Sequence, residues 1–333
     1  AVKGMNLGMI CAGNFARTML LPYIKGNGVR LVGIASATGI SCKDTARKFG
    51  FDTCTTEYSE LLKNDTINTI LIATRHNLHG KLVMESLKAG KHVYTEKPLC
   101  LHESELGEIA SLYHTISSGE NPLLLMVGFN RRYAPLIKEM KTFFEVRKEP
   151  MIMHYRINAG FKEKLDWYQD REIGGGRIIG EVCHFIDTLQ YLTDAIPVSV
   201  FARTIKTDNQ STTLEDNIII TLEFSDGSIG SITYLANGDP RFPKEYIEVF
   251  CENKVAVMDN FSRLTTMAQG KKKVRKSILQ DKGHKREMKV LVESVCGKDP
   301  RPISFESIYA TTLVAFKIYE SIETGEAIRI NGA

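Results

Sequence analysis

The sequence predicts an α/β protein in which a doubly wound parallel sheet comes first and an α+β domain with a mainly antiparallel open sheet follows. Up to about residue 127, short apolar runs rich in Val, Ile and Leu alternate with segments of helical period, as in buried parallel strands joined by crossover helices. After about residue 150, strand-like segments follow one another with turns between them, which is typical of antiparallel pairing. We therefore expect a doubly wound α/β domain of the Rossmann type over residues 1–130 and an α+β domain over residues 131–333.

Each predicted element rests on a local pattern. Five short apolar runs predict the parallel strands, at residues 7–10, 31–35, 69–73, 92–95 and 123–127. Helices are expected between them, at residues 15–24, 42–49, 58–62, 78–89 and 103–116, and Gly50 and Gly90 end two of these. The second domain shows strand patterns at residues 151–158, 199–204, 217–224, 228–235 and 246–251, and helix patterns at residues 178–192 and 305–322. Ser225-Asp226-Gly227 predicts a hairpin, because Asp and Gly tolerate the positive φ of a tight turn.

Composition excludes several classes of protein. The formal net charge is only +4 over 333 residues, so the overall field gives no argument for nucleic-acid binding. Lys271-Lys272-Lys273 and the run from Lys282 to Arg286 are interpreted as solvated surface, with phosphate or partner binding as the alternative. Seven cysteines without a C-x-x-C pair argue against a disulfide framework and a zinc site. We expect a cytoplasmic protein without metal or membrane span, and the start at Ala1 suggests excision from a longer chain.

A dinucleotide site is predicted directly after the first strand. The turn there is a variant of G-x-G-x-x-G/A in which Gly13 and Ala16 fill the second and third small positions, whereas Cys11 replaces the first glycine. A plain strand-to-helix turn is the alternative, but free N–H groups at a helix start favour a phosphate. The cofactor contacts expected in this turn are Cys11, Ala12, Gly13, Asn14 and Phe15.

The end of the second strand bears on the choice of cofactor. Many NAD enzymes carry an acid there for the ribose 2′-hydroxyl, but this chain has Ala35-Ser36-Ala37-Thr38. Ser36 and Thr38 are candidate donors to a 2′-phosphate, yet no arginine stands beside them in the sequence. NAD and NADP therefore both remain open.

The fourth expected strand of the sheet, at residues 92–95, runs into Glu96-Lys97-Pro98. A lysine at the carboxyl edge of a doubly wound sheet faces the ligand crevice. With this motif the chain resembles the Gfo/Idh/MocA oxidoreductases, the glucose–fructose oxidoreductase and inositol dehydrogenase family, over essentially its whole length. The resemblance implies that Lys97 hydrogen-bonds the reacting hydroxyl, that Glu96 holds the nicotinamide ribose, and that the proline, often cis, shapes the turn.

The second motif is a glycine-rich entry into a helix, from Gly174 to Asp187, in which Gly180, His184 and Asp187 share one face. The resemblance implies that His184 is the acid/base for the hydroxyl proton, a role that suits imidazole. A helix histidine bonded to a neighbour is the alternative. Many family members have an aspartate where this chain has Gly180, so either Glu181 reaches in from its adjacent position or the site works without that group.

Further site residues are carried over from the same resemblance. The expected cofactor contacts are Ser36, Thr74, Arg75, His76, His79, Glu96 and Asn130, and the expected substrate contacts are Lys97, Arg132, Asn158, Trp167, Arg177, Glu181 and His184. Three alternatives stay open: His79 as a helix cap, Arg131 and Arg132 as partners of carboxylates, and burial of Trp167 with Tyr168 as core.

Together these patterns and the family resemblance imply an NAD(P)-dependent dehydrogenase or reductase that acts on CH–OH groups of a sugar-like small molecule. They also imply that residues 131–333 form a substrate and oligomerisation domain, that its sheet joins the copies of a homo-oligomer, and that the final helix packs back towards the first domain. Imine or nucleotide-sugar reduction is an alternative reaction, and a non-catalytic dinucleotide-binding sensor is an alternative class. A nucleic-acid binder using residues 271–286 ranks last. The motifs at residues 74–79 and 174–184 look closest to the subgroup fused to a zinc-type alcohol dehydrogenase domain.

Overall fold

The computed structural model describes residues 4–11, 13–25, 28–119, 122–163, 166–205, 216–298 and 303–330. The chain divides into two compact units. Unit 1 comprises residues 1–128 and 284–308, and unit 2 comprises residues 129–283 and 309–333. Residues 284–308 thus group with the first unit, although the sequence suggested one uninterrupted second domain after residue 130.

Unit 1 is built around a six-stranded sheet in the order β3-β2-β1-β4-β5-β6, with every pair parallel. This strand order is that of the doubly wound dinucleotide-binding fold. Its strands are β1 (Asn6–Ile10), β2 (Arg30–Ala35), β3 (Thr53–Thr55), β4 (Thr69–Ile72), β5 (His92–Thr95) and β6 (Leu125–Val127). Its helices are α1 (Leu21–Ile24), α2 (Gly39–Phe49), α3 (Tyr58–Lys63), α4 (His79–Lys88), α5 (Glu103–Ser117) and, later in the chain, α8 (His284–Val295).

The apolar strands of unit 1 are buried on both faces, as the uniform runs predicted. Every residue of β4 and β6 is buried. Gly50 ends α2 with φ +84° and donates its N–H to the carbonyl of Ala46, which is the left-handed C-cap expected of glycine. Short 3₁₀ turns precede α4 and α6, and a π-helical turn at Ala16–Leu20 precedes α1.

Unit 2 holds a nine-stranded sheet in the order β14-β13-β12-β11-β7-β10-β9-β8-β15. Only the pair of β10 and β7 is parallel among the described strand pairs of this sheet. The strands are β7 (Ile152–Asn158), β8 (Pro197–Thr204), β9 (Asn217–Phe224), β10 (Ile229–Leu235), β11 (Glu245–Cys251), β12 (Lys254–Asp259), β13 (Arg263–Ala268), β14 (Lys271–Lys276) and β15 (Ile328–Arg329). The helices that begin in this part of the chain are α6 (Pro135–Phe143) and α7 (Cys183–Thr193), and α9 (Phe305–Thr324) begins in unit 1 and continues into unit 2.

The lysine cluster at residues 271–273 has a structural explanation. It lies on the edge strand β14, all of whose residues are exposed. Positive charge on an edge strand discourages pairing with another chain. Two side chains of this strand also pair with Glu139 of α6. Lys273 Nζ lies 3.9 Å from Glu139 Oε1, and Arg275 contacts Glu139 Oε2.

The predicted fold class is confirmed. The strand at residues 217–224 and the hairpin at Asp226-Gly227 are where the pattern placed them, with Gly227 at φ +83°. No helix in the described part of the chain is long and apolar enough to span a membrane.

Candidate active site

The turn after β1 has the backbone of a glycine turn although its first residue is cysteine. Cys11 adopts φ +88° and donates its N–H to the carbonyl of Ala35 over 2.7 Å. Positive φ is costly for a residue with a side chain and is found at functional sites. A Cβ at Gly13 would meet only the Cys11 sulfur at 3.7 Å. The turn therefore leaves its outer side open; Ala12 lies outside the described residues.

A cavity of about 460 Å³ opens at the carboxyl ends of β1, β2 and β4. Four residues that the sequence predicted as cofactor contacts, Cys11, Ser36, Thr74 and Arg75, line this cavity, and so does Lys81. None of its lining residues carries a carboxylate. The sequence showed no arginine beside Ser36, but the fold brings Arg75 from the turn after β4 to the same cavity. An open glycine turn next to a cavity with two cations fits a dinucleotide phosphate.

The two other residues of the glycine turn are exposed. Asn14 and Phe15 lie at the helix start, and the Phe15 ring contacts the His284 ring edge-on at 5.9 Å. The following π-helical turn at Ala16–Leu20 has a counterpart at Ile178–Val182 in unit 2. Both motifs singled out in the sequence thus enter their helices through a π turn, a feature frequent at functional sites.

The Glu96-Lys97-Pro98 turn follows β5, and the Lys97–Pro98 peptide is cis. Glu96 is nearly buried, and its Oε1 accepts a hydrogen bond from the Tyr94 hydroxyl at 2.9 Å. A Cβ at Gly128 would lie 2.9 Å from that hydroxyl and 3.0 Å from Glu96 Oε1, so glycine is required there. Burial raises the pKa of Glu96 to about 7, against the opposing effect of Lys97.

His79 holds the turns after β4 and β5 together from inside. Its side chain is fully buried, Nδ1 lies 2.7 Å from the carbonyl oxygen of Pro98, and Nε2 lies 3.3 Å from that of Thr74. The ring does not cap α4. Burial lowers the pKa of His79 to about 4, so the ring is neutral near pH 7 and donates one hydrogen bond. His76 is also buried, with its ring 5.6 Å from that of His79. Direct cofactor contact by these two histidines stays a prediction.

His79 and Glu96 are expected to change the free energy of unfolding in opposite directions as pH changes. The folded pKa of His79 is lowered, so its contribution is present above the unfolded pKa near 6.5 and is lost as pH falls towards 4. The folded pKa of Glu96 is raised, so its contribution is present below the unfolded pKa near 4.5 and is lost as pH rises towards 7. Between pH 4.5 and 7 the two contributions change by about 2 kcal/mol each, with opposite signs.

We therefore expect His79→Gln and Glu96→Gln to tilt the stability profile in opposite directions. Relative to wild type, the free energy of unfolding of His79→Gln should improve as pH falls from 7 to 4.5, and that of Glu96→Gln should worsen. Urea unfolding at five pH values measures both slopes, and His92, whose pKa burial also lowers, provides a comparison variant, His92→Gln. Parallel profiles for wild type and both variants would contradict the assignment.

His184 lies near the start of α7, directly after the π turn at Ile178–Val182. Its side chain is 7% exposed, and the Phe129 ring packs edge-on at 6.4 Å. One turn earlier, Gly180 faces the Tyr168 side chain, because a Cβ on Gly180 would lie 2.9 Å from both Cζ and the hydroxyl oxygen of Tyr168. The space next to Gly180 on this helix is therefore filled by a phenol from the preceding loop.

Arg177 and Glu181 belong to a buried network between that helix and the sheet. Arg177 is 1% exposed and donates to the Tyr234 hydroxyl at 2.9 Å and to the Gly160 carbonyl. Glu181 accepts from Tyr234 at 2.5 Å and from Lys244 at 2.7 Å. These contacts direct Glu181 towards the sheet. Substrate binding by Arg177 and Glu181 stays a prediction.

The 3₁₀ turn Asn130–Tyr133 is held by polar contacts within unit 2. Asn130 Nδ2 donates to the carbonyl of Lys282 at 2.7 Å. Arg132 pairs with the fully buried Asp187 through two hydrogen bonds, which is the alternative that the sequence left open. Cofactor binding by Asn130 and substrate binding by Arg132 stay predictions.

Asn158 and Trp167 differ in their surroundings. Asn158 ends β7, and its Nδ2 donates to the carbonyls of Asp239 at 2.8 Å and Phe242 at 3.2 Å. Trp167 is 38% exposed, lines an open cavity with Phe161 and Asp166, and contacts the Tyr168 ring edge-on at 5.7 Å. Core burial of Trp167 is therefore excluded, and its position suits contact with a ligand ring.

Sequence reasoning missed a buried ionic cluster of unit 2 that is centred on Glu245. Glu245 is fully buried and accepts from Arg131 Nε at 2.8 Å and Nη2 at 3.0 Å, from Lys282 at 2.8 Å and from the Tyr155 hydroxyl at 2.6 Å. Burial by itself would raise the pKa of the Glu245 carboxyl, but the positive charges of Arg131 and Lys282 hold that pKa well below its usual range. The one signal in the sequence was the alternation of apolar and polar residues along β11, which places the Glu245 side chain on the buried face of the strand. Among the described residues, no group of three His, Cys, Asp or Glu side chains is arranged to hold a metal ion.

Comparison with known proteins agrees with this geometry. Residues 5–129 match the family profile described as "Oxidoreductase family, NAD-binding Rossmann fold", and residues 149–257 match the GFO/IDH/MocA C-terminal domain. Levoglucosan dehydrogenase of Pseudarthrobacter phenanthrenivorans is 27% identical over 57% of this chain and 52% of its own length, so the match spans about half of that relative. Myo-inositol 2-dehydrogenase of Thermotoga maritima is 22% identical over 86% of this chain and 87% of its own.

Solved structures share the fold. An oxidoreductase domain protein from Kribbella flavida superposes with TM-score 0.84 at 17% identity, covering 98% of this chain and 99% of that one. Levoglucosan dehydrogenase in complex with NADH and levoglucosan superposes with TM-score 0.82 at 19% identity, with the same coverage of both chains.

Unit 1, with its open glycine turn and its cavity at the carboxyl edge of a parallel sheet, defines the class of nicotinamide-dinucleotide-binding oxidoreductases. Within that class, the chain belongs to the Gfo/Idh/MocA family, and its cofactor is a nicotinamide adenine dinucleotide.

Proposed function

We propose that this chain catalyses hydride transfer between NAD(P) and a carbinol carbon of a sugar, polyol or nucleotide sugar. The observation that carries the proposal is the position of Lys97, which follows β5 at the carboxyl edge of the NAD-binding sheet in a turn held from inside by Glu96 and His79. An amine in that place is suited to a reacting hydroxyl.

The proposed reaction is a reversible transfer of one hydride and one proton. The bound nicotinamide supplies the hydride acceptor during oxidation and the donor during reduction. During oxidation, the carbinol C–H bond breaks with both electrons and the O–H bond loses its proton, so the alcohol becomes a carbonyl. His184, helped by Lys97, receives that proton, and reduction returns it. Binding both reactants in order supplies part of the acceleration.

A sugar-like substrate is supported by the relatives and by Trp167. Two similar proteins are named for levoglucosan and for myo-inositol, both of which carry several hydroxyl groups. Trp167 offers a partly exposed ring beside an open cavity, which suits stacking on the apolar face of a sugar. Reduction of an imine or of a nucleotide-sugar ketone remains the alternative reaction.

The lining of the cavity proposed for the adenosine end of the cofactor is compatible with either NAD or NADP. The cavity at Ser36 lacks a lining carboxylate that would repel a 2′-phosphate, and Arg75 and Lys81 give it positive charge. A non-catalytic sensor on the same fold would need this cavity but would have no use for a Lys97 and His184 pair.

We further propose that a second copy of the chain covers the open face of the unit 2 sheet. Ile152, Ile229 and Phe250 are direct cross-strand neighbours on β7, β10 and β11, and they are 62%, 43% and 43% exposed. Contiguous exposed apolar groups of this kind mark interaction surfaces. Closeness to the subgroup fused to a zinc-type alcohol dehydrogenase stays a prediction.

The test begins with the dinucleotide. Isothermal titration with NAD⁺ and NADP⁺ measures both affinities, and light scattering of the same sample gives the subunit number. A panel of anhydrosugars, inositols, aldoses and nucleotide sugars is then assayed at 340 nm. We expect oxidation of at least one polyol with stoichiometric formation of reduced cofactor. Tight dinucleotide binding without turnover of any alcohol, imine or ketone would favour the sensor.

A further inference from the structure

The cavity at the carboxyl ends of β1, β2 and β4 is lined mostly by apolar and aromatic groups. These are Ile10, Ala35, Ala37, Tyr58, Leu78 and Leu82. Leu78 is 44% exposed, and a flat apolar base such as adenine would remove such surface from water. A cavity of about 460 Å³ is of the size that small-molecule sites have. The polar residues of the lining therefore decide which groups attached to the base are recognised.

Ser36 lies where many NAD enzymes carry an acid for the ribose 2′-hydroxyl. Its backbone is fixed at this edge of the sheet, because its N–H donates to the carbonyl of Thr55 at 3.1 Å. The preceding carbonyl, that of Ala35, accepts from the N–H of Cys11 at 2.7 Å. The hydroxyl of Thr38, the other candidate donor in the sequence, lies 2.5 Å from another hydroxyl of its own turn. Of these two described residues, only Ser36 lines the cavity.

Arg75 and Lys81 bring two positive charges to the same lining. Arg75 directly precedes the 3₁₀ turn before α4, and Lys81 lies in the first turn of α4. Both residues are exposed. Lys81 Nζ lies 3.9 Å from Oε1 of Glu85, one turn further along the helix, and the lysine side chain is 62% exposed. A pair so long and so exposed contributes little, so the ammonium is able to turn to a phosphate.

No carboxylate stands among the described residues that line the cavity. Glu57 comes between the lining residues Thr56 and Tyr58, but it is exposed and lies at the start of α3 outside the lining. A 2′-phosphate monoester carries a charge of about −1.5 to −2 near pH 7. Arg75 and Lys81 balance that charge. With NAD, in contrast, the two cations face no anion on the ribose, and the 2′-hydroxyl meets no carboxylate that would accept its hydrogen bond.

We infer that this cavity selects NADP over NAD: Arg75 and Lys81 pair with the 2′-phosphate, and the Ser36 hydroxyl donates to it. The inference rests on the proposed function, because it takes the cavity as the adenosine end of the cofactor site. Hydrogen bonds between cationic side chains and phosphate oxygens are among the stronger ones in proteins, so two of them suffice for a clear preference. Arg75 and Lys81 are then the residues that decide which of the two dinucleotides carries the hydride.

Two fragments of the cofactor measure this preference without turnover. Adenosine 2′,5′-bisphosphate and adenosine 5′-monophosphate differ by the 2′-phosphate alone, and isothermal titration gives the affinity of the protein for each. We expect the bisphosphate to bind at least about 10-fold more tightly, and NADP⁺ to exceed NAD⁺ by a similar factor. Because exposed charges are screened, both ratios should shrink when KCl is raised from about 0.05 M to about 0.5 M. Equal affinities, or tighter binding of NAD⁺, overturn the inference.

Arg75→Gln and Lys81→Gln assign the preference to the two cations. Each variant removes one charge and keeps most of the side chain, so each should lower NADP⁺ affinity about 5- to 10-fold and lower NAD⁺ affinity much less. Lys88→Gln is the matched control, because Lys88 is an exposed lysine in the last turn of α4 outside the lining. It should keep the wild-type ratio of the two affinities. A wild-type ratio in both Arg75→Gln and Lys81→Gln would place the phosphate elsewhere and contradict the inference.

Ser36→Asp tests the same site from the opposite direction. It puts a carboxylate where many NAD enzymes have one, so the acid should repel the 2′-phosphate and accept a hydrogen bond from a 2′-hydroxyl. We expect NADP⁺ affinity to fall about 100-fold and NAD⁺ to become the tighter ligand, with an unchanged melting temperature. Retained preference for NADP⁺ in Ser36→Asp would mean that Ser36 does not face the 2′-position, and the inference would fail.

Failure of this inference and failure of the proposed function give different results. Oxidation of a polyol with NAD⁺ as the tighter cofactor would leave the proposed function standing and overturn the inference. Selectivity for NADP⁺ that is lost in Arg75→Gln and Lys81→Gln would support the inference even if no alcohol, imine or ketone were turned over. In that second case it is the proposed hydride transfer that fails.

Discussion

Lys97→Ala and His184→Ala are each expected to lower kcat by about 10²- to 10⁴-fold, the range typical of a lost proton-transfer group. Lys97 is proposed to polarise the reacting hydroxyl and His184 to exchange its proton, and neither interaction is needed to bind a dinucleotide in the cavity proposed for it at Cys11 and Ser36. NAD(P) affinity should therefore change much less than kcat. Steady-state kinetics with the best substrate, paired with cofactor titration, separates the two effects.

Matched controls exist for both variants. Lys88→Ala removes an exposed lysine at the end of α4 in unit 1, and His154→Ala removes a half-buried histidine of β7 whose Nδ1 faces Ser231 Oγ at 2.6 Å. Both should retain kcat. Wild-type turnover in Lys97→Ala and in His184→Ala would end the assignment of these residues to the proton.

Glu245→Gln is expected to destabilise unit 2 by about 3–5 kcal/mol, the usual effect of breaking a buried ion pair from one side. Glu245 is fully buried and satisfies Arg131, Lys282 and the Tyr155 hydroxyl at once. An amide retains the shape but leaves two cations without a counter-charge in a medium of low dielectric constant. Urea unfolding followed by circular dichroism measures the loss.

Glu248→Gln is the control for this variant, because Glu248 lies three residues further along the same strand and is only half-buried. Its effect should stay below about 1 kcal/mol. The Glu245→Gln loss should also persist at 1 M salt, since buried charges are poorly screened. A change of less than 1 kcal/mol for Glu245→Gln would mean that the cluster does not hold unit 2 together.

Much of the fold was predictable because its signals are local. Uniform apolar runs are typical of strands covered on both faces, and β4 and β5 lie where those runs were. The strands that were missed are β3 and β12 to β15, and all of these except β12 are short or carry many polar residues. β14 is the clearest case: a run of Lys and Arg has no apolar period, and only pairing with β13 makes it a strand.

The candidate site was predictable only where a motif implies a backbone shape. Gly13, Glu96 and Lys97 stand in turns that parallel-sheet geometry places at the carboxyl edge. Arg75 illustrates the limit, because it lies 39 residues from Ser36 in the numbering and lines the same cavity only through the strand order. The pairing of Arg132 with Asp187 is likewise a long-range contact.

By itself, the sequence determined the doubly wound sheet, the mainly antiparallel second sheet, the family and the dinucleotide turn, since periodicity and glycine turns act over a few residues. Tertiary structure alone decided which polar groups are committed to one another: Glu245 to Arg131 and Lys282, Glu181 to Tyr234 and Lys244, and Tyr168 to the gap at Gly180. The physical reason is that a buried charge or phenol takes its partner from whichever chain segment the packing brings within about 3 Å, and sequence separation carries no information about that distance.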